Sequence, residues 1–197
     1  MSLTIFRLEE TQGVQVLRLY SEDGMNRLSR QCMLVLTDAV RGIAAARHPL
    51  VIAGNNRFFS AGADLNEIAA LDGPSALEFS KLGQGLMAMI ETSPYPVHAA
   101  IAGYCMGGGL DLALACHRRI AARNAVFGHR GAALGLITGW GGTQRLSRLI
   151  GKGRALQMFM AAEKIAAQQA LDIGLLDTIA PDPVAEAVRR IRTHLGL

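Results

Sequence analysis

Two stretches decide the reading of this chain: Phe59-Ser60-Ala61-Gly62-Ala63-Asp64-Leu65, and Gly103-Tyr104-Cys105-Met106-Gly107-Gly108-Gly109-Leu110-Asp111. Each follows an apolar run, Leu50-Val51-Ile52-Ala53 in one case and Val97-His98-Ala99-Ala100-Ile101-Ala102 in the other, and each leads into a helix-like pattern. Short apolar runs bounded by turn residues read as buried strands. A strand-to-helix turn stripped of side chains bares backbone N–H groups, and the helix dipole adds partial positive charge there. Two such turns aimed at one point form a cradle for an oxygen that gains negative charge, an oxyanion hole. Taken singly, the glycines need do no more than permit tight turns and close helix packing. The pairing favours the cradle.

Working outward, Leu3 to Leu8 and Val14 to Leu19 read as strands around a polar turn at Glu9 to Gly13. Ser29 is an N-cap candidate for a helix running through Ala46. Asp64 is placed to cap a short helix, with Glu67 three residues on as an acidic variant of the capping box. Pro74 opens an amphipathic helix to about Glu91, and Pro94 and Pro96 end it. Beyond the glycine triplet, Leu110 to Ala115 reads as a compact apolar helix. Arg119 to Ala122 and Ala125 to Phe127 read as strands. Helices are expected over Gly141 to Ile150, Arg154 to Ala162, Ala167 to Asp172 and Pro183 to Leu195, with a strand at Leu175 to Ile179. The recurring strand-strand-helix rhythm is α/β, without a linker or second domain.

Composition narrows the function classes. A chain of 197 residues that is 50% hydrophobic is one globular domain, large enough to bury about 70% of its unfolded surface. No apolar run has membrane-spanning length and the N-terminus lacks a signal-peptide order, so no membrane partner is expected. Cys32, Cys105 and Cys116 are odd in number, lack metal-ligand spacing and sit among apolar neighbours; inert buried thiols in a reducing, cytoplasmic setting are expected, with no metal. The formal charge of +4 suits an anionic small ligand. With scattered basic residues and 5% aromatics there is no stacking platform for nucleic acid. Arg118-Arg119 and Arg189-Arg190-Arg192 read as solvated faces, and Met87, Met89, Met106 and Met160 as flexible core filler. No G-x-G-x-x-G or P-loop occurs, and Ser60 lacks the preceding glycine of a nucleophile elbow.

The stretches Phe58 to Leu65, Ala100 to Cys116, and Phe127-Gly128 through Gly141-Gly142-Thr143-Gln144-Arg145-Leu146 resemble the crotonase superfamily, the enoyl-CoA hydratases and isomerases. A looser match runs over Ile165 to Ala170 and Gly174 to Asp177. The resemblance implies an α/β fold, a crotonase-like spiral of ββα repeats over residues 1–197 as a single domain, with a shortened C-terminal helical region. It implies an acyl-CoA enzyme that stabilises a thioester enolate, with no cofactor beyond the coenzyme A thioester that is its substrate. The implied assembly is a homotrimer or hexamer.

Carried over residue by residue, the resemblance makes Ala63 and Gly108 the oxyanion donors. Asp111 stands where hydratases carry one catalytic glutamate, and Gly131 where they carry the second. Ala61, Asp64, Leu65, Gly107 and Trp140 are the implied substrate-binding positions. Aspartate is one methylene shorter than glutamate, and an acid in a first helical turn is also favourable against the dipole without any chemistry. Glycine moves no proton, so efficient water addition is not expected. Some dihydroxynaphthoyl-CoA synthases share a Phe-Gly-x-x-Gly stretch and borrow a carboxylate from bicarbonate, which His129 and Arg130 are placed to assist; read on its own, His129 is a surface or packing residue. Two alternatives stay open: another crotonase-type reaction, such as double-bond isomerisation or naphthoyl-CoA synthase-like ring closure, and a catalytically weak acyl-CoA-binding protein.

Overall fold

The computed structural model describes residues 4–197. Strands β1 (Phe6–Thr11) and β2 (Val14–Leu19) form an antiparallel hairpin. Its turn is tighter than the polar run Glu9 to Gly13 suggested: only Gln12 and Gly13 lie outside the ladder, with φ of 53° and 82°. Positive φ at both central residues matches the right-handed twist of the strands. Leu3, where the first strand was expected to begin, lies outside the described residues.

Next come β3 (Arg27–Leu28) and α1 (Arg30–Ala45), the latter capped by Ser29, whose side chain accepts from Cys32 N. The first ββα turn is β4 (Leu50–Ala53), β5 (Phe58–Ser60), β6 (Gly62–Ala63), then α2 (Leu65–Ala69) and α3 (Gly73–Glu91). Asp72 and Ser75 form a reciprocal capping box at the head of α3, just before and after Pro74. The second turn is β7 (Val97–Ile101), β8 (Tyr104–Met106) and α4 (Gly108–Ala115). The third is β9 (Arg118–Ala121), β10 (Val126–Gly128), a 3-10 turn (Gly131–Leu134), α5 (Gly142–Ile150) and α6 (Lys152–Ala161). The described chain closes with β11 (Ile165–Ala166), α7 (Ala167–Asp172), β12 (Thr178–Ile179) and α8 (Pro183–Leu195). This is the expected spiral of ββα repeats.

Successive turns of the spiral stack their strands into separate sheets. The larger has the order β1-β2-β4-β7-β9-β12 and is parallel from β2 onward; the second is β11-β10-β8-β5; β3 and β6 pair alone. Val97 to Ile101 and Leu50 to Ala53 are buried at every position, as strands covered on both faces must be. Phe59 and Phe127, at matching places in β5 and β10, are wholly buried, and burial of each contributes about 1.5–3 kcal/mol. Among the described residues no helix is long and apolar enough to cross a membrane.

One basic and two sulfur-bearing positions depart from expectation. Arg119 is not on a solvated face: it is 6% exposed. Its Nε donates to Leu175 O at 2.9 Å, its Nη1 to Cys116 O at 2.8 Å, and its Nη2 pairs with Asp177 at 3.2 Å. A buried guanidinium is tolerated only when its donors are met in this way. Met160 is 73% exposed instead of filling the core, and Met106 borders the cavity described below. Cys32, Cys105 and Cys116 are buried free thiols, as read; burial pushes Cys32 and Cys116 up to about 12.

Candidate active site

The two glycine-rich turns meet. Gly62 has φ of 98°, and a Cβ there would stand 2.7 Å from Met106 O and 3.2 Å from Gly108 N. Only glycine admits both that backbone conformation and that approach. Gly107 (φ 51°) turns the chain from β8 into α4, and its N–H donates to Gly128 O at 2.9 Å, tying the second turn to the end of β10. The first helical bond of α4 runs from Asp111 N to Gly107 O, so Gly108, Gly109 and Leu110 have no acceptor within the helix.

On the first turn, Asp64 N donates to Leu28 O at 3.3 Å. Alternate residues of a strand bond a given neighbour in a parallel ladder, so the N–H of Ala63 faces away from β3. The position of a Cβ on Gly108 lies 3.3 Å from Ala63 N. Ser60 and Asn26 pin this turn from behind. Ser60 Oγ donates to Asn26 O and accepts from Gly62 N, while Asn26 Nδ2 donates to Phe58 O and Phe59 O.

Both turns border one cavity of about 540 Å³. Its walls are mainly apolar, with Leu65, Phe79, Leu136, Ile137, Phe159 and Trp140 among them. Trp140 is 4% exposed and packs edge-on against Phe79 with ring centroids 5.3 Å apart. Its Nε1 donates to Phe79 O at 3.3 Å. Space for the indole exists because Gly83 and Gly108 lack side chains; a Cβ on either would collide with the ring. Arg145 holds the turn that carries Trp140, donating to Trp140 O at 3.0 Å while pairing with Glu91 on α3.

Asp111 is the buried acid of this cavity, 0% exposed. One carboxylate oxygen accepts from Thr138 Oγ1, and the other, Oδ1, faces His129 Nε2 at 3.4 Å. Desolvation raises the Asp111 carboxyl to about 7, against lowering by Thr138 and Arg145. Desolvation also lowers His129 to about 4, so its ring is neutral near neutral pH. Among the described residues no group of three His, Cys, Asp or Glu side chains is placed to hold a metal ion.

The family model for enoyl-CoA hydratase/isomerase matches residues 9–195. The chain belongs to this family. It is 39% identical over 188 residues to a crotonyl-CoA hydratase of Syntrophomonas wolfei, covering 93% of this chain and 72% of that protein. It is 46% identical over 145 residues to a probable enoyl-CoA hydratase of Bacillus subtilis, covering 73% of this chain and 55% of that relative. The crystal structure of an enoyl-CoA hydratase from Bacillus anthracis superposes with a TM-score of 0.90 at 34% identity, covering 96% of this chain and 76% of that one.

Within this enoyl-CoA hydratase/isomerase chain, Ala61, Ala63, Leu65, Gly107, Gly108, Asp111, Gly131 and Trp140 all border the one cavity. Asp64 does not. Its Oδ1 is spent on the head of α2, accepting from Asn66 N at 2.8 Å and Glu67 N at 3.4 Å. Nor does Glu67 complete a capping box: its carboxylate accepts from Arg30 N at 2.7 Å, bridging α2 to α1. Gly131 opens the 3-10 turn without positive φ, and a Cβ there would stand 2.7 Å from Leu136 O.

His129 is not at the surface: it is 4% exposed, packs against Phe159 with ring centroids 4.9 Å apart, and stands beside Asp111. Thr138 and Asn26 carry no local signal in the sequence. Thr138 is joined to Asp111 across the spiral, and Asn26 to β5.

Proposed function

We propose that this protein acts on acyl thioesters of coenzyme A, holding the thioester oxygen between the N–H groups of Ala63 and Gly108 while Asp111 moves a proton. The observation that carries the reading is the meeting of the two turns: Ala63 N lies 3.3 Å from the Cβ position of Gly108, beside a buried acid in an apolar cavity. As the α-proton leaves, negative charge collects on the thioester oxygen, and each preorganised donor is worth about 3 kcal/mol in that state. Asp111, raised to about 7, is matched to take or give a proton near neutral pH.

Gly131 supplies no carboxylate, which favours reactions that relocate one proton over the addition of water across a double bond. Double-bond isomerisation is therefore the second reading, and a borrowed bicarbonate the route by which hydration would recover. The protein assembles as a trimer or a dimer of trimers in this account. Supporting this are Leu134, Ile137, Leu156 and Met160, exposed by 59%, 71%, 61% and 73%, on the 3-10 turn, the segment after it and α6.

The test is incubation with saturated, enoyl-, dienoyl- and aryl-CoA thioesters, with and without bicarbonate, read by mass spectrometry alongside binding seen through Trp140 fluorescence. Turnover or α-proton exchange of at least one thioester is expected. Binding without either, across the panel, would reduce the protein to an acyl-CoA binder.

A further inference from the structure

We propose that His129 and Asp111 hold a single proton between them and act as one acid–base unit on the α-carbon of the bound thioester, with His129 the positioning residue that sets the protonation of Asp111. This rests on the reading of the cavity as an acyl-CoA site.

The geometry points to the pair from both sides. Asp111 Oδ1 and His129 Nε2 are closed off from solvent, and neither has any hydrogen-bond partner among the described residues; each is the other's neighbour at 3.4 Å. At 3.4 Å the two stand just short of hydrogen-bond geometry, and a small turn of either side chain lets one proton resolve both deficits. It either sits on the carboxyl and is donated to Nε2, or sits on Nε2 and is donated to the carboxylate, and such a pair titrates as a unit. Thr138 Oγ1 occupies Asp111 Oδ2, and the nearby cation, Arg145 of α5, is engaged with Glu91. Cys105 of β8 is a buried thiol raised well above its ordinary value. Phe159 of α6 stacks on the imidazole at 4.9 Å between ring centroids. Arg130 and Lys164 border the cavity, the latter with its ammonium 5.0 Å from the Tyr104 ring centroid. The opposed shifts, Asp111 upward and His129 downward, agree with one proton residing on the acid side at mildly acidic pH.

The step balances without a second carboxylate. Asp111, as carboxylate, takes the α-proton; the C–H electron pair becomes the enolate double bond; the negative charge passes to the oxygen held by Ala63 and Gly108. With the shared proton on Nε2 and donated to Oδ1, the abstracted proton is a second one and rests on Asp111 Oδ2, where the Thr138 hydroxyl turns to accept it. Returned to the same carbon it gives exchange, and delivered to the γ-carbon of a β,γ-unsaturated thioester it moves the double bond. No water is consumed, so the glycine at position 131 is no obstacle.

The experiment follows deuterium uptake at the α-carbon of butyryl-CoA in D2O by mass spectrometry between pH 5 and 9, with binding measured in parallel by Trp140 fluorescence and calorimetry. The wild type is expected to exchange, with a rate that rises through the titration of the pair. Asp111→Asn should abolish exchange while binding persists. His129→Phe keeps the bulk but removes the donor that steadies the carboxylate, so exchange should fall about tenfold, short of the ~10²–10⁴ carried by the acid–base group itself, and its pH limb should move upward. His129→Gln, with an amide donor, should bring the limb back toward the wild type, which a purely structural histidine would not do. If His129→Phe does not fold, His129→Asn, whose amide is too short to reach, carries the same comparison. An unchanged rate and pH profile in the donor-less variant overturns the dyad. Binding without exchange by the wild type overturns it as well. Absence of binding by butyryl-CoA and by every other thioester of the panel instead sinks the acyl-CoA reading itself, and the dyad with it.

Discussion

Replacing Asp111 by asparagine exchanges a buried acid for a neutral side chain of nearly the same shape, and the structure sets the size of the effect. The carboxyl moves from 3.8 to about 7 on folding, chiefly through desolvation. At 1.36 kcal/mol per unit, burying the charged form costs about 4 kcal/mol. The sign follows from which state holds the proton. Below pH 3.8 both folded and unfolded chains are protonated and the cost is absent. As pH rises toward 7 the unfolded chain loses its proton first, so wild-type stability falls, and it levels off above the folded value. Asp111→Asn escapes this loss. At pH 8 it should exceed the wild type by about 4 kcal/mol, an increment worth roughly 8–16 °C in Tm for a chain of this size. At pH 5 the gap should shrink to under ~2 kcal/mol. His129 works in the opposite direction, its depressed value making stability fall as pH drops from 6.5 toward 4; the comparison at pH 8, where its ring is neutral in both proteins, therefore isolates the Asp111 charge. Urea unfolding at pH 5, 6.5 and 8, followed by circular dichroism, measures the gap. Equal or lower stability of the variant at pH 8, or a gap that does not narrow toward pH 5, would refute the reasoning. Turnover should be lost as stability is gained, the signature of a charge kept for function.

Two further outcomes follow from the same geometry. In bicarbonate-free buffer the wild type should hydrate crotonyl-CoA poorly, and Gly131→Glu should raise that rate. Because a Cβ there meets Leu136 O at 2.7 Å, the variant should also lose stability by about 1–3 kcal/mol; efficient hydration by the unmodified protein would contradict the role given to this glycine. Lengthening Asp111 to glutamate is not a useful companion change, since Asp111 Oδ1 already fills the space beside Gly142. Gly83→Ala should displace the Trp140 indole, cost about 1–3 kcal/mol by overpacking, and shift tryptophan emission; unaltered emission and stability would show that the indole does not sit against α3.

Much of the fold was legible because its signals are local. Ser29 and Asp64 cap the helices they were expected to cap, and both glycine-rich stretches lead into helices, although each also carries a short strand of the second sheet, Phe58–Ser60 and Tyr104–Met106, where only a turn was expected. The two-residue strands β3 and β6 were not legible, because nothing in Arg27-Leu28 or Gly62-Ala63 favours a strand until the other is beside it. The site divided in the same way. That the two turns bare backbone N–H groups follows from chain conformation, and the family resemblance singled out Ala63 and Gly108 among them; both border the cavity. Side-chain partners depend on contacts across the spiral: His129 with Asp111, Thr138 with Asp111, and Arg119 with Asp177. Asp64 was read both as a cap and as a binding position; its Oδ1 caps α2, and the residue does not border the cavity.

The claim that Ala63 and Gly108 hold an enolate oxygen is tested most directly with acetoacetyl-CoA, a β-keto thioester whose enolate absorbs in the near ultraviolet. Titrating it into the protein at a pH where the free thioester is mostly in its keto form, and recording the difference spectrum, reports the charge state of the bound ligand. An enolate band is expected that grows to saturation in step with binding followed by Trp140 fluorescence. Saturable binding with the ligand still in its keto form would contradict it.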